Sequence, residues 1–339
     1  MTNKPVTRIL VVAPSWIGDT IFAQPLFHRL HQYHLGLQLD VFASPYLRPV
    51  LDHMPEVQSV IDNPFAHGDL RFGDRRRLGL LLRGNRYDQA IVLPNSLKSA
   101  LVPFLASIPL RTGYVGEMRY GLLNDARRLD EAVLTTMVDR YALLAQPRDK
   151  ALTRPVPRPA LNVGPADLAA ALRKFGLDTN RPVTIFCPGA EYGPARRWPV
   201  EHYGELAKSV VAEGKQVWLL GSAKDREIAE QVQAASGGIC RNLAGETNLT
   251  EAIRLLAAAN LVVSNDTGLL HVASALNRPV VALYGSTAPG LAPPYSDRSV
   301  SVSLNLSCSP CRERICPLGH FNCMKELTPE RVVNAITSM

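Results

Sequence analysis

Short, continuous apolar runs alternate along the chain with segments whose apolar residues have helical spacing. In the first half, the runs typical of buried strands are 8–13, 37–42, 57–61 and 87–93. Between them, 20–33 and 96–105 predict helices, because their apolar residues recur three and four positions apart. Strands that alternate with helices predict a parallel sheet covered on both faces.

A proline-rich segment, in which a short helix is predicted at 165–175, interrupts this alternation, which then starts again. Strands are predicted at 183–187, 216–220, 261–264 and 280–284, and helices at 200–213, 224–235, 249–258 and 268–276. We therefore predict two doubly wound, Rossmann-like α/β domains that face each other across a deep cleft. The expected divisions are an N-terminal domain at 1–155, a linker at 156–180, a C-terminal domain at 181–325 and a helix at 326–339 that packs back on the N-terminal domain.

The composition favours anionic partners and gives no sign of a membrane anchor. The formal net charge is +7, which suits nucleotides, phosphorylated lipids or a membrane surface. We expect no nucleic-acid partner, because no such motif and no sustained basic stripe occurs. A local cluster of cations is interpreted as a solvated helix face: Arg71, Arg75, Arg76, Arg77, Arg83 and Arg86. No apolar run approaches the roughly 18–20 residues that span a bilayer, and the N-terminal run is too short for a secretory signal. We therefore expect a cytoplasmic protein.

The turn after the first strand, 14–19, offers a carboxylate at the start of a helix. Gly18 permits a tight turn, and Asp19 follows it near the helix N-terminus. A carboxylate there could remove a proton from an acceptor hydroxyl. Position alone favours the other interpretation, a helix cap.

The turn after the first strand of the second half, 187–199, is the best candidate for a diphosphate site. Its glycines expose backbone N–H groups, and a helix start at about Pro199 attracts anions. Arg196 and Arg197 add positive charge with bidentate geometry. The alternative, a flexible surface loop, explains the glycines and prolines but not the paired arginines. Neither a Walker loop nor a dinucleotide fingerprint occurs in the chain.

Two further turns follow predicted strands of the second half. In 264–271, Asp266 and Thr267 fit a helix cap, whereas Gly268 in the first helical turn indicates a ligand against backbone amides. His271 shares a helix face with Gly268, although a single helix histidine is usually structural. In 221–225, Asp225 could accept hydrogen bonds from ribose hydroxyls, and a helix cap explains it equally well.

Four cysteines lie close together near the C-terminus, at Cys308, Cys311, Cys316 and Cys323. The spacing permits a structural zinc site, but it lacks the paired CxxC of a zinc ribbon. Free or oxidised thiols are the alternative. In either case we expect this cluster to lie away from the chemistry.

Taken together, the segments resemble the ADP-heptose:lipopolysaccharide heptosyltransferases of glycosyltransferase family 9, and the heptosyltransferase II group in particular. The resemblance covers nearly the whole chain. It is carried by PSWIGD at 14–19, LPNSLKSALVPF at 93–104, RTGYVGEMRYGLLND at 111–125, CPGAEYGPARRWP at 187–199, GSAKD at 221–225, RNLAGETNL at 241–249 and SNDTGLLHVASAL at 264–276.

The resemblance implies a GT-B fold and an inverting transfer of heptose from ADP-L-glycero-D-manno-heptose to the lipopolysaccharide inner core. The expected acceptor is Kdo2-lipid A that already carries a heptose. The family's catalytic base falls on Asp19. The donor-binding positions fall on Gly189, Ala190, Glu191, Arg196, Asp225, Thr247, Asp266, Thr267, Gly268 and His271. The acceptor-binding positions fall on Lys98, Arg111 and Arg119 in the N-terminal domain.

One of these positions departs from the family pattern, and no cofactor is expected. Arg196 stands where family members usually carry a phosphate-binding lysine, so the charge is kept and the geometry changes. No metal is obligatory, because cationic side chains and helix dipoles can stabilise the diphosphate. A peripheral, transient contact with the cytoplasmic face of the inner membrane follows from the lipid acceptor.

Other functions remain open at this stage. A GT-B transferase could use a different nucleotide sugar, such as a UDP-hexose, or could add the first heptose as heptosyltransferase I does. A nucleotide-binding oxidoreductase predicts a GxGxxG turn after the first strand, and PSWIGD is not one. A carbohydrate-binding protein without activity would not need both Asp19 and the cationic turn.

Overall fold

Two parallel sheets of six strands organise the chain in the computed structural model, which describes residues 7–66 and 68–339. The chain divides into two compact units between Pro159 and Ala160. Residues 1–6, at the start of the expected N-terminal domain, and residue 67 lie outside the described part.

The first sheet has the strand order β3-β2-β1-β4-β5-β6. Its strands are β1 (Arg8–Val12), β2 (Gln38–Ala43), β3 (Ser59–Asp62), β4 (Gln89–Val92), β5 (Leu110–Tyr114) and β6 (Asp125–Arg127). In the parallel register, Val12 is level with Phe42 on one side and with Val92 on the other. The apolar run of β1 is continuous because helices cover both faces of the sheet, and Ile9, Leu10 and Val11 are fully buried.

The helices of the first unit are α1 (Ile17–Phe22), α2 (Gln24–Tyr33), α3 (Arg48–Leu51), α4 (Phe72–Leu82), α5 (Leu101–Leu105) and α6 (Met137–Leu143). The two helices predicted at 20–33 and 96–105 both differ from the structure, and α3 and α6 were not predicted. The single helix predicted at 20–33 is two helices, which meet at Ala23 just before Pro25. Proline favours the first turn of a new helix, because that turn needs no N–H donor there. The helix predicted at 96–105 is a 3₁₀ turn at Leu97–Ala100 followed by the short α5.

The second sheet repeats the topology of the first, with the order β12-β11-β10-β7-β8-β9. Its strands are β7 (Val183–Cys187), β8 (Gln216–Leu219), β9 (Arg241–Asn242), β10 (Leu261–Asn265), β11 (Val280–Leu283) and β12 (Ser299–Val302). In each sheet, the strand order reverses between the unit's first and fourth strands. The carboxyl ends of these two strands form the crevice where open α/β sheets bind ligands.

The helices of the second unit are α7 (Pro165–Phe175), α8 (Val200–Ala212), α9 (Arg226–Ala235), α10 (Leu249–Leu256), α11 (Gly268–Ala275), α12 (Asn322–Lys325) and α13 (Pro329–Thr337). The C-terminal helix was expected on the N-terminal domain. In the structure, α13 contacts α8, β11 and β12 of the second unit, and Leu327 and Val332 are buried in that unit's core.

Candidate active site

The structure brings two of the predicted turns together at the carboxyl edge of the second sheet. The segment 188–199 follows β7, and Asp266 follows β10, the neighbouring strand in which Ser264 is level with Cys187. The two turns therefore flank the point where the strand order reverses. This is the place at which a ligand of this unit is expected.

Asn265 fastens the two turns to each other. Its side-chain amide donates to the carbonyl oxygens of Pro188, at 2.7 Å, and Gly189, at 3.2 Å. Its Oδ1 accepts hydrogen bonds from the backbone N–H of Trp198 and the hydroxyl of Tyr203, both at 3.1 Å. Asn265 is fully buried, so each of these bonds is shielded from water. One amide thus fixes both ends of the 188–199 segment, a role that sequence reasoning did not assign.

A buried carboxylate with a guanidinium and an imidazole beside it lies at the centre of this edge. Asp266 Oδ2 lies 3.0 Å from Arg196 Nη1, and Asp266 Oδ1 lies 3.4 Å from His271 Nε2. Burial alone would raise the pKa of Asp266. The hydrogen bond from His271 and the positive charge of Arg196 outweigh burial, so the pKa lies below its usual value. Asp266 is therefore ionised at neutral pH and orients Arg196 and His271.

Arg196 is also held by an aromatic ring. Its guanidinium lies 4.1 Å from the centre of the Tyr192 ring, and Arg314 lies 5.1 Å from the same ring. The hydroxyl of Tyr192 donates to the carbonyl oxygen of Arg312 at 3.0 Å. In the described part of the chain, Nε of Arg196 and Nε of Arg197 are buried and have no hydrogen-bond partner. Buried donors without a protein partner are what an anion-binding site offers to its ligand.

Gly189 and Asp225 fit against each other beside this centre. A Cβ atom at position 189 would collide with the carboxylate of Asp225, so only glycine allows this approach. The same carboxylate accepts hydrogen bonds from the backbone N–H and the hydroxyl of Ser222, at 2.9 and 2.8 Å. Asp225 thus caps the turn that begins at Ser222 and also lies next to the 188–199 segment. The cap that it forms does not remove it from the candidate ligand site.

The other predicted donor residues lie around the same edge, with different degrees of exposure. Thr267 caps α11 by accepting a hydrogen bond from the backbone N–H of Leu270 at 3.4 Å, and Gly268 begins that helix. Ala190 is buried. Glu191 is exposed and pairs with Lys224 at 2.5 Å. Thr247 is half-buried, with an Oγ1 that has no hydrogen-bond partner among the described residues.

In the first unit, Asp19 lies in the first turn of α1, at the carboxyl end of β1. The residue at the N-cap position is Trp16, and no side-chain hydrogen bond caps this helix. The carboxylate is half-buried, and its charge contributes to raising the pKa of the buried Tyr141 on α6, although burial is the larger cause. Asp19 is therefore not the N-cap residue, and its position in the first turn fits a favourable interaction with the helix dipole.

The three predicted acceptor cations have unequal environments. Lys98 is half-buried on the 3₁₀ turn that follows β4, the strand next to β1, so it lies at the same sheet edge as Asp19. Arg111 donates to the carbonyl oxygens of Leu122, at 2.6 Å, and Ile108, at 2.5 Å. These two bonds fix the orientation of the guanidinium and use two of its five N–H donors.

Arg119 is almost completely buried, at 2% exposure. Its guanidinium donates to the carbonyl oxygens of Tyr114 and Pro94. It also donates to Oδ1 of Asn95 at 3.2 Å. Burial lowers the pKa of Arg119 to about 10. These bonds assign Arg119 to holding the segment that carries Lys98, and its burial does not favour direct contact with an acceptor.

The cysteine segment lies against the 188–199 segment, the candidate diphosphate site, whereas it was expected to lie away from that site. The carbonyl oxygen of Arg314 accepts a hydrogen bond from the backbone N–H of Ala195 at 3.1 Å. The backbone N–H of Arg312 donates to the carbonyl oxygen of Ser286, after β11, at 2.7 Å. The loop between Cys308 and Cys316 therefore packs against the 188–199 segment and hydrogen-bonds to its backbone.

The cysteines themselves are free thiols, and Cys323 is the buried one of the four. Backbone N–H groups of residues 318–321 hydrogen-bond the Cys316 sulfur and lower its pKa, the largest effect coming from Phe321. Among residues 7–66 and 68–339, no three His, Cys, Asp or Glu side chains are grouped so as to hold a metal ion. The zinc prediction at Cys308, Cys311, Cys316 and Cys323 thus has no support in the structure.

Two Rossmann-like units, each built on a parallel six-stranded sheet with the same strand order, give the chain the GT-B fold. The comparisons with known proteins make the assignment specific. A family model described as glycosyltransferase family 9 (heptosyltransferase) matches residues 75–322. The chain belongs to this family.

Two curated relatives are similar over nearly their whole length. Lipopolysaccharide heptosyltransferase 2 of Salmonella typhimurium is 46% identical over 98% of both chains, and the Escherichia coli K12 protein of the same name is also 46% identical over 98% of each. The solved structure of the E. coli ADP-heptose lps heptosyltransferase II has a TM-score of 0.88 and 44% identity, with 98% of both chains covered. The resemblance stated from the sequence and the predicted fold class are thereby confirmed. No helix among the described residues is long and apolar enough to cross a membrane.

Proposed function

We propose that the protein transfers heptose from ADP-L-glycero-D-manno-heptose to the inner core of lipopolysaccharide, onto Kdo2-lipid A that already carries one heptose. Full-length relatives named lipopolysaccharide heptosyltransferase 2 support this function over the heptosyltransferase I alternative. The observation that carries the chemistry is the buried Arg196–Asp266–His271 group at the strand-order reversal of the second sheet.

The second unit would bind the donor through its diphosphate. As the bond between the anomeric carbon and the ADP oxygen breaks, negative charge builds up on the departing ADP. The guanidinium of Arg196, held by Asp266 and Tyr192, would stabilise this charge together with the backbone N–H groups at the start of α8. These groups carry out the role that a metal has in other transferases, so we expect transfer without an added metal.

The first unit would supply the base. Asp19 would accept the proton of the acceptor hydroxyl. The hydroxyl oxygen would attack the anomeric carbon on the face opposite to ADP, which inverts the configuration at that carbon. Lys98, at the same edge of the first sheet, would bind a phosphate of the core sugars. The acceptor is a lipid, so we place the enzyme at the cytoplasmic face of the inner membrane.

A transfer assay with matched donors and acceptors tests this function. Purified protein is given ADP-heptose, or a UDP-hexose as the control donor, with acceptors that carry no heptose or one heptose. We expect product with ADP-heptose and the one-heptose acceptor, in the presence of a metal chelator. Equal or better transfer to the acceptor without heptose would favour heptosyltransferase I activity, and transfer from the UDP-hexose would refute the donor assignment.

A further inference from the structure

The outward face of α4 combines arginines with large apolar side chains. Arg75, Gly79 and Leu82 mark the buried side of this helix. The opposite side exposes Arg76, Arg77, Leu80 and Leu81, and Phe72 is exposed at the first position of the helix; we call these five residues the α4 face. Phe72 is 52% exposed and Leu81 is 69% exposed. The acidic residue of the helix, Asp74, is paired with Arg71 at 2.8 Å, so the face itself carries positive charge and apolar surface.

The inner side of α4 is firmly attached, so these exposed side chains cannot turn inward. Gly79 packs so closely on Leu105 of α5 that a Cβ at position 79 would lie 2.7 Å from that side chain. Arg75 lies 3.9 Å from the Phe65 ring centre and donates to the carbonyl oxygens of Leu70 and Lys98, at 2.6 and 3.1 Å. The rotation of the helix about its axis is therefore fixed by its buried contacts.

The neighbouring helix α5 also carries an exposed aromatic residue. Arg83, at the end of α4, donates to the carbonyl oxygen of Leu105 at 3.1 Å, which brings α5 alongside. Phe104 of α5 is 43% exposed, and the guanidinium of Arg111 lies 5.4 Å from its ring centre. Aromatic and cationic side chains thus continue beyond α4.

Other helices of the chain show what an ordinary solvated face looks like. The exposed positions of α8 include Glu201, Glu205 and Lys208, which carry both signs of charge and no large apolar side chain. In contrast, Arg76 and Arg77 of α4 have no ion-pair or hydrogen-bond partner within the described residues. Single exposed apolar residues need no explanation, but a group of them with unpaired arginines is the composition of a helix that lies at an anionic lipid interface.

We propose that the α4 face is a docking surface for an anionic phospholipid bilayer. The arginines would meet lipid phosphates, while Phe72, Leu80 and Leu81 would enter the boundary between headgroups and acyl chains. The contact from Arg75 to the Lys98 carbonyl joins α4 directly to the segment proposed to bind the acceptor. This inference rests on the proposed function in that the acceptor is a membrane lipid.

Vesicle co-sedimentation tests the proposal without any measurement of transfer. The full-length protein is mixed with vesicles of phosphatidylcholine alone or of phosphatidylcholine with phosphatidylglycerol. We expect binding to the anionic vesicles only, weakened by salt. The double variant Arg76→Glu/Arg77→Glu should lose about 30-fold or more in affinity, since each surface cation contributes roughly fivefold. Phe72→Ser/Leu81→Ser should also bind less, and its loss should persist at low salt.

A matched control keeps the charge change but moves it elsewhere. Lys208→Glu/Arg331→Glu changes the same net charge on exposed positions of α8 and α13, and we expect its vesicle binding to equal that of the unaltered protein. Equal losses in the control and in Arg76→Glu/Arg77→Glu would overturn the proposal, as would self-association or RNA binding through α4 without vesicle binding. ADP affinity, measured in parallel, should be unchanged in all variants, so failure of the donor site would be seen separately.

Discussion

Replacing Arg196 by alanine removes the centre of the proposed diphosphate site. The side chain makes a 3.0 Å ion pair with Asp266 and stacks on Tyr192, and it is also the charge that we expect to meet the donor. A hydrogen bond to a charged group contributes about 1.5–3 kcal/mol. Because about 1.4 kcal/mol corresponds to a tenfold change in affinity, ADP should bind roughly 10- to 100-fold more weakly.

The same substitution should destabilise the protein, because Asp266 is buried and would lose the guanidinium beside it. A buried acceptor that loses a partner costs about 1–3 kcal/mol, which lowers Tm by about 2–4 °C per kcal/mol for a domain of roughly 150–250 residues. In the unaltered protein, the depressed pKa of Asp266 stabilises the fold above the ordinary carboxyl pKa, and this stabilisation is lost as the pH falls through the lowered pKa. The alanine variant should lose part of this pH dependence.

Calorimetric titration with ADP and thermal denaturation at neutral and acidic pH would measure both effects. Arg196→Lys keeps the charge but not the planar group, so its ADP affinity and its Tm should lie between those of Arg196→Ala and the unaltered protein. Arg241→Ala removes one cation from an exposed pair with Glu246 in the same unit and serves as the control. If Arg196→Ala folds normally and binds ADP as tightly as the unaltered protein, the assignment of Arg196 to the diphosphate is refuted.

Three further substitutions examine how the 188–199 segment is held. Tyr192→Leu should raise KM for the donor several-fold by releasing Arg196, whereas Tyr192→Phe keeps the ring and should have a smaller effect; equal kinetics for both would exclude the stacking role. Asn265→Ala should lower the free energy of unfolding by about 2–4 kcal/mol, because it leaves several buried groups unpaired, and a loss below about 1 kcal/mol in chemical denaturation would contradict this. Gly189→Ala should weaken ADP binding by displacing Asp225, which a titration showing unchanged affinity would disprove.

The elements that the sequence predicted well are those whose pattern follows directly from burial. β7 and α7 have the predicted bounds. The strand is apolar throughout because both of its faces are covered, and the helix has proline at its start and Gly176 in the left-handed conformation at its end. The short outer strands were missed. β5, β6, β9 and β12 are edge or near-edge strands with partly exposed, largely polar sequences, so no apolar run marks them.

In the candidate site, the sequence predicted which turns carry the polar side chains but not which side chains touch each other. Asp266 and Arg196 could be placed near a ligand because both follow strand ends, but their direct contact depends on the strand order. Arg119 and Lys98 are both cations in a loop-rich segment, and the sequence contains nothing that tells a buried structural arginine from an accessible lysine. The role of Asn265 could have been predicted from the sequence, because a polar side chain at the end of a fully buried strand must have hydrogen-bond partners.

The central claim is that Asp19 removes the acceptor proton while the second unit holds the donor. The most direct test is the rate of heptose transfer by Asp19→Asn, together with its affinity for ADP-heptose. Removal of a general base costs about 10²- to 10⁴-fold in rate, so we predict a kcat lower by that factor with unchanged donor affinity. A kcat within about threefold of the unaltered enzyme, a range far smaller than general-base catalysis supplies, would contradict the account.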